Sequence, residues 1–449
     1  MMEALEDIWF NKPVTGYRRL FYLVTPNETS FESLEEVPEY VNEAAPYFLI
    51  SVVLENLILL AKGKSLMRFN DVWNSMTHGV ISTLHGLLMR GTELAAYIWF
   101  YQRFCLYELP WNSPWTWILC FLATDFGYYW VHRFGHEVNI MWAGHQTHHS
   151  SEDYNLSTAL RQSALHRYLN WFFYLPMALF IPPTAFLVHI QFNLLYQFWI
   201  HTELVDKIGP LEYVLNTPSH HRVHHGRNPY CIDKNYAGVL IIWDRIFGTF
   251  EPEGEKVVYG LVHPLETWDP MYGQFCQLIH IIRTARQMDG WKNKLSVIFC
   301  GPGWEPGKPR LGLPEDLPEV KFPAKKYNSN LPCWGNLYIL THFLLILAAN
   351  FVVSSIKKSV GQVNVLIYIL FVLFSLTSFG ALYDNKSYGP AMEFLRCFIF
   401  LAAGHMYHPM GMQLTWQTVV YAMYFVSALF WGCLTLSNFQ FRVYKKKVQ

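Results

Sequence analysis

From residue 336 onward the chain is almost continuously apolar, with runs at 336–353, 363–383, 391–407 and 413–436. Each approaches the roughly 20 residues that an α-helix needs to cross the hydrocarbon of a bilayer. No water reaches that depth to satisfy backbone N–H and C=O groups, so exposed backbone there must be helical. Earlier stretches repeat the pattern. Residues 44–61 are apolar apart from Glu55, and Lys62, Lys64 and Arg68 follow, which marks that side as cytosolic by the positive-inside rule. Residues 79–101 carry His85, Arg90 and Glu93 and either cross or lie flat as an amphipathic helix. Residues 169–200 are split by Pro176 and by Pro182-Pro183, so a hairpin of two short limbs, entering from the cytosol and returning to it, is expected there. Composition agrees: 52% of the residues are hydrophobic and only 15% charged. The formal net charge is zero, which offers nucleic acid nothing to hold. The expected fold is an all-α integral membrane protein, a multi-helix bundle.

Against that apolar background stand three histidine clusters: His132-x3-His136, His145-x2-His148-His149 and His221-x2-His224-His225. Residues three or four apart share a helix face, so each cluster can present its imidazoles in one direction. Eight such donors exceed what one tetrahedral ion uses, and neutral imidazole suits iron, zinc, copper and nickel, so a cytosol-facing di-metal site is the economical reading. Ordinary polar residues on an exposed face explain any one of these histidines, but not three spaced clusters. His220 points about 100° away from His221 on a helix and is expected outside the set.

The first cluster closes the apolar run 115–131, where a membrane helix meets the cytosol. Asp125 lies inside that run, seven residues and therefore two helical turns before His132. It is expected to accept the second N–H of a ligand imidazole and fix its tautomer; a snorkelling or capping aspartate is the alternative. His201, at the exit of an apolar helix, is a candidate ninth ligand, against a plain interfacial histidine. Glu137 directly follows a presumed ligand and has three readings: a partner for a cofactor, an orienter of a ligand, or a surface charge.

The remaining features set limits. The eight cysteines include no Cys-x2-Cys pair, so reduced thiols rather than a disulfide framework are expected. The first forty residues are mixed and acidic, unlike a cleaved signal peptide, and the N-terminus is expected to stay on. Residues 301–323 are rich in Pro and Gly and form a connecting segment or a flap over the site. His405 and His408 read as interfacial. An even number of C-terminal crossings returns Lys445 to Lys447 to the cytosol, although Lys357-Lys358 falls on the wrong side of a strict count. The expected division is a catalytic region at 1–325, with its core at 115–250, and C-terminal membrane helices at 326–449.

Taken together, the clusters, the stretch 125–133 (DFGYYWVHR) ahead of them, and Asn235-Tyr236, Trp243-Asp244 and Phe247-Gly248-Thr249 behind them resemble the fatty acid hydroxylase superfamily of membrane di-iron enzymes. Residues 137–163 are further similar to the branch of that superfamily that cleaves ether lipids. That resemblance implies a multi-pass enzyme of the endoplasmic reticulum with two iron ions, which uses tetrahydrobiopterin and O2 to cleave the ether bond of alkylglycerols within membrane lipid. It would make the pterin ring the cofactor that Glu137 hydrogen-bonds, with Asn155, Arg161, Gln162 and Tyr236 as further polar groups near the clusters. The terminal Lys446-Lys447-Val448-Gln449 resembles a dilysine retrieval signal. The weakest C–H of an alkyl ether lies next to oxygen, and hydroxylation there gives a hemiacetal that collapses to aldehyde and glycerol.

Three other readings stay open. A sterol or fatty-acid hydroxylase fed by a cytochrome shares the same histidine pattern. A zinc membrane hydrolase needs a His-Glu-x2-His helix, which is absent. A metal transporter places its ligands at the bilayer midplane rather than at a helix exit.

Overall fold

The computed structural model describes residues 13–88, 92–356, 359–406 and 414–436. Among them the regular structure is helical, with two isolated bridges, Leu215 to Leu240 and Gly226 to Tyr259. Four helices are long and apolar enough to cross a membrane: Tyr40–Ala61, Cys333–Ile356, Gln362–Tyr383 and Trp416–Leu436. The helix Gly389–Met406, expected as a further crossing, does not reach the same apolarity. The side chains of His405 and His408, Lys357-Lys358 and the lysine-rich tail lie outside the described residues.

Packing divides the chain into two units, one of residues 1–82, 89–265 and 274–326, the other of 83–88, 266–273 and 327–449. The first unit is built around the helix Pro114–Glu137. Pro114 occupies its first position, where proline's fixed φ favours helix and its missing N–H costs nothing. Val138, in extended conformation, turns the chain sharply into the helix Asn139–His145. The run 169–200 is two limbs: a nine-residue 3-10 helix, Trp171–Leu179, and the helix Pro183–Trp199, opened by Pro183.

Residues 79–101 are described on either side of 89–91. They fall across the helices Phe69–Leu88 and Thr92–Phe104. The first of these starts ten residues before the apolar run because Asn70, Asp71, Asn74, Ser75, Thr77 and His78 are buried inside the protein, polarity that an apolar pattern assigns to solvent. The helix Tyr40–Ala61 packs on Pro183–Trp199 through the ring pairs Tyr40–Phe192 at 4.6 Å and Phe48–Phe198 at 4.5 Å. Glu55, the interruption in its apolar run, is buried; it accepts the Leu156 N–H at 2.8 Å and the Thr202 hydroxyl, tying together the segments that follow His149 and His201. The Pro/Gly-rich segment closes on itself through Gly301 N–H to Arg310 O at 2.8 Å.

The second unit packs Cys333–Ile356, Gln362–Tyr383, Gly389–Met406 and Leu414–Leu436 around an ion pair. Glu393 and Arg396 have no exposed surface, so each charge needs a partner. The pair is surrounded by Tyr338 at 2.6 Å and Ser378 at 2.7 Å on the carboxylate, and by His342 at 3.0 Å and Tyr424 at 3.2 Å on the guanidinium. All four helices contribute to this network.

Candidate metal centre

Nine buried histidines converge inside the first unit, in two groups. His132, His136, His145, His149 and His224 form one; His148, His201, His221 and His225 form the other, and within each group the ligand atoms lie within 4.8 Å of one another. His201 joins the eight clustered residues, while His220 stays outside both groups, its ring edge-on to Phe250. The grouping does not follow the clusters in sequence. His132 and His136, one turn apart near the end of Pro114–Glu137, enter the same group. The other two clusters split: His148 leaves His145 and His149, and His224 leaves His221 and His225.

Hydrogen bonds on the outer nitrogens set the tautomers. His132 Nδ1 meets Tyr236 O at 2.7 Å, His148 Nδ1 meets Arg161 O at 3.0 Å, His201 Nδ1 meets Gln197 O at 2.6 Å and His224 Nδ1 meets Lys234 O at 2.9 Å. A carbonyl oxygen only accepts, so each of these Nδ1 atoms carries the proton and each Nε2 is left with a bare lone pair. His148 Nε2 and His201 Nε2 nevertheless face each other at 3.2 Å. Two lone pairs at that distance repel unless a cation lies between them. His136 Nε2 and His225 Nε2 are also buried without a hydrogen-bond partner. This donor set fits metal ions.

Electrostatics point the same way. Burial, and then the neighbouring imidazoles, hold His145, His149, His221, His224 and His225 well below the usual imidazole range, and burial lowers His148 to about 4. All are neutral at pH 7, the form that ligates.

Two expected residues act differently. Asp125 orients no imidazole directly. Its carboxylate accepts from Asn193 Nδ2 at 2.8 Å, Val239 N at 2.8 Å, Leu240 N at 2.9 Å and Trp243 Nε1 at 3.0 Å. The seven-residue spacing to His132 is right, but the space beside the carboxylate is filled by the returning 238–243 segment. Gly238 permits this, since a Cβ there would stand 2.9 Å from Asp125 Oδ1. Glu137 does not sit free for a cofactor either. One oxygen pairs with Arg133 Nε at 2.8 Å and the other with Arg310 Nη1 at 3.4 Å.

Beside Arg161 O and Gln197 O, which serve the four-histidine group and His148 of it in particular through Arg161, the orienting work in the five-histidine group falls to the loop 233–237, which the histidine pattern does not announce. Asp233 Oδ1 stands 3.6 Å from His136 Nδ1, while Lys234 and Tyr236 supply the carbonyls for His224 and His132. Asp233 and Asn235 both have positive φ, of 59° and 56°, which Asp and Asn tolerate better than most residues. Asp244 holds the loop by accepting Tyr236 N and Ala237 N at 2.8 Å each. The left-handed Gly248, φ 72°, ends the helix Ile242–Phe247 and returns Thr249 to Asp244 at 2.6 Å. Arg161, whose carbonyl serves His148, is itself locked by Asp71 at 2.9 Å and Ser75 at 3.0 Å. The Asp-x-Asn pair and the stretch Asn235-Tyr236 to Thr249 were the available sequence signals; carbonyl acceptors leave none, because every residue has one.

Because His220 lies outside both groups, His220→Ala is expected to keep its full complement of metal, while His221→Ala loses metal. Metal analysis of the two purified variants checks this, and the reverse result would undo the register assigned here.

A helical chain with membrane-length helices and two buried all-imidazole groups is of the histidine-box membrane enzyme class, and residues 117–249 match the family model described as Fatty acid hydroxylase. Residues 335–423 match that of the Alkylglycerol monooxygenase C-terminal domain. The chain is 51% identical to Alkylglycerol monooxygenase of Homo sapiens, over 97% of this chain and 98% of the relative. It is 55% identical to that of Xenopus tropicalis over 86% of each, and 38% identical to that of Caenorhabditis elegans over 86% of this chain and 80% of the relative. No solved structure matches. The chain belongs to the alkylglycerol monooxygenase family.

Proposed function

We propose that this protein is a di-iron monooxygenase that hydroxylates the ether-adjacent carbon of alkylglycerols, with O2 as oxidant and tetrahydrobiopterin as reductant. The substrate rests on the names of its relatives. The metals rest on one observation above all, the two bare Nε2 atoms of His148 and His201 at 3.2 Å. Iron is favoured over zinc because activating O2 needs a redox-active ion, which zinc is not, and because neutral imidazole suits iron.

In this reading His132, His136, His145, His149 and His224 hold one iron and His148, His201, His221 and His225 the other. The irons supply the activation of O2. The protein's own residues do the rest: the imidazoles stay neutral, the carbonyls of residues 161, 197, 234 and 236 hold their tautomers, and burial excludes water. One oxygen atom enters the carbon beside the ether oxygen and the other leaves as water, with two electrons from the reduced pterin. The hemiacetal formed then breaks its C–O bond to give fatty aldehyde and glycerol. The catalytic region is 1–325, with the helices of 326–449 as a membrane unit, and the site faces the cytosol at the endoplasmic reticulum. Glu137, paired with two arginines, is not proposed to hold the pterin.

Iron-loaded protein, incubated with an alkylglycerol and tetrahydrobiopterin under O2, is expected to release fatty aldehyde. Aldehyde formed with a cytochrome reductase system but not with the pterin would move the protein to the sterol and fatty-acid hydroxylase reading.

A further inference from the structure

Tyr236 is an unexplained group beside the five-histidine group. Its side chain is fully buried and its hydroxyl has no hydrogen-bond partner. Four other tyrosines of the first unit differ. Tyr128 donates to Gln197 at 2.6 Å, Tyr154 to Ile200 O at 2.9 Å and Tyr196 to Asn216 O at 2.8 Å, while Tyr129 meets Thr249 at 3.0 Å and Arg133 at 3.1 Å. Burying a phenol without a partner is costly, so an unpartnered one marks a place where something else completes the bond.

The backbone of Tyr236 is fixed on both sides, its N–H by Asp244 and its carbonyl by His132. Its ring is held by packing in a fully buried position. It packs against three imidazoles of the five-histidine group, with centroids 5.9 Å from His132, 5.4 Å from His136 and 6.1 Å from His224. His136 Nε2, in the nearest of these rings, is unpartnered as well. Five imidazoles would leave a six-coordinate ion one position for an exogenous ligand.

We propose that the Tyr236 hydroxyl hydrogen-bonds the small exogenous ligand, water or an anion, at that open position; this rests on the metal reading above. Tyr236 is then a residue that discriminates among small ligands of the metal without being a ligand itself.

The test uses the oxidised, iron-loaded full chain and azide as probe, followed by visible absorption. Tyr236→Phe is expected to keep wild-type iron content and thermal midpoint, because the hydroxyl bonds nothing in the protein, and to weaken one azide-binding phase about tenfold. Tyr129→Phe, which removes a partnered hydroxyl, is expected to leave azide binding unchanged. Wild-type azide affinity in Tyr236→Phe would overturn the proposal. So would loss of iron or a lowered midpoint in that variant, which would make the phenol structural, and so would an iron-loaded wild type that binds no azide. A wild type that takes up no iron would defeat the metal reading itself, which is scored before azide is added.

Discussion

Replacing His201 with alanine is expected to empty one of the two metal positions and to lower aldehyde formation by at least about a hundredfold, since loss of a ligand exceeds the ten- to hundredfold cost usual for partners behind it. His201 has its Nδ1 proton committed to Gln197 O at 2.6 Å and its Nε2 aimed at His148 and His221, at 3.2 and 3.1 Å. It bridges two neighbours that do not otherwise share a short contact, so its removal leaves His221 and His225 facing His148 alone. Bound iron should fall from two to one per chain, read by metal analysis on the purified protein. Two irons retained at full activity would return His201 to an interfacial histidine.

Asp125→Asn is expected to destabilise the first unit, not merely to slow it. All four of the groups that Asp125 meets are N–H donors, two on each oxygen. An asparagine has one oxygen, so whichever way its amide turns, two donors face an NH2. Each buried donor left without an acceptor costs about 1–3 kcal/mol, roughly 2–6 kcal/mol in sum. The segment released carries Val239 and Leu240, directly after the loop that orients His132, His136 and His224. Iron loading should therefore fall together with the thermal midpoint. A variant with normal midpoint and normal iron would show that the clamp is dispensable.

These two residues mark the limits of what was legible. His201 was found because a histidine at the end of an apolar helix breaks a pattern, and the expected return of the 169–200 run placed it near the clusters. Asp125 was found for the same reason and then assigned the wrong partner. Helical spacing correctly put it on the face of His132, but the segment that fills the space between them comes from more than a hundred residues later. The same limit applies to Glu137, whose second arginine, Arg310, comes from a Pro/Gly-rich segment with no pattern of its own.

By itself the sequence determined that the chain is helical and that it carries membrane-length helices, and it singled out the eight clustered imidazoles, with His201 as a candidate, that the fold brings together. Each follows from local physics: apolar length demands satisfied backbone, and no packing rule calls for so many spaced histidines. Only the tertiary structure decided how nine histidines divide into five and four, and that main-chain carbonyls, Asp233 and the Asp244 and Asp125 clamps hold them. The reason is that a cluster's members lie on short turns and helices that bend, so neighbours in sequence aim at different centres. Their orienters, moreover, are backbone groups, which carry no residue identity and are brought to the site by long-range folding alone.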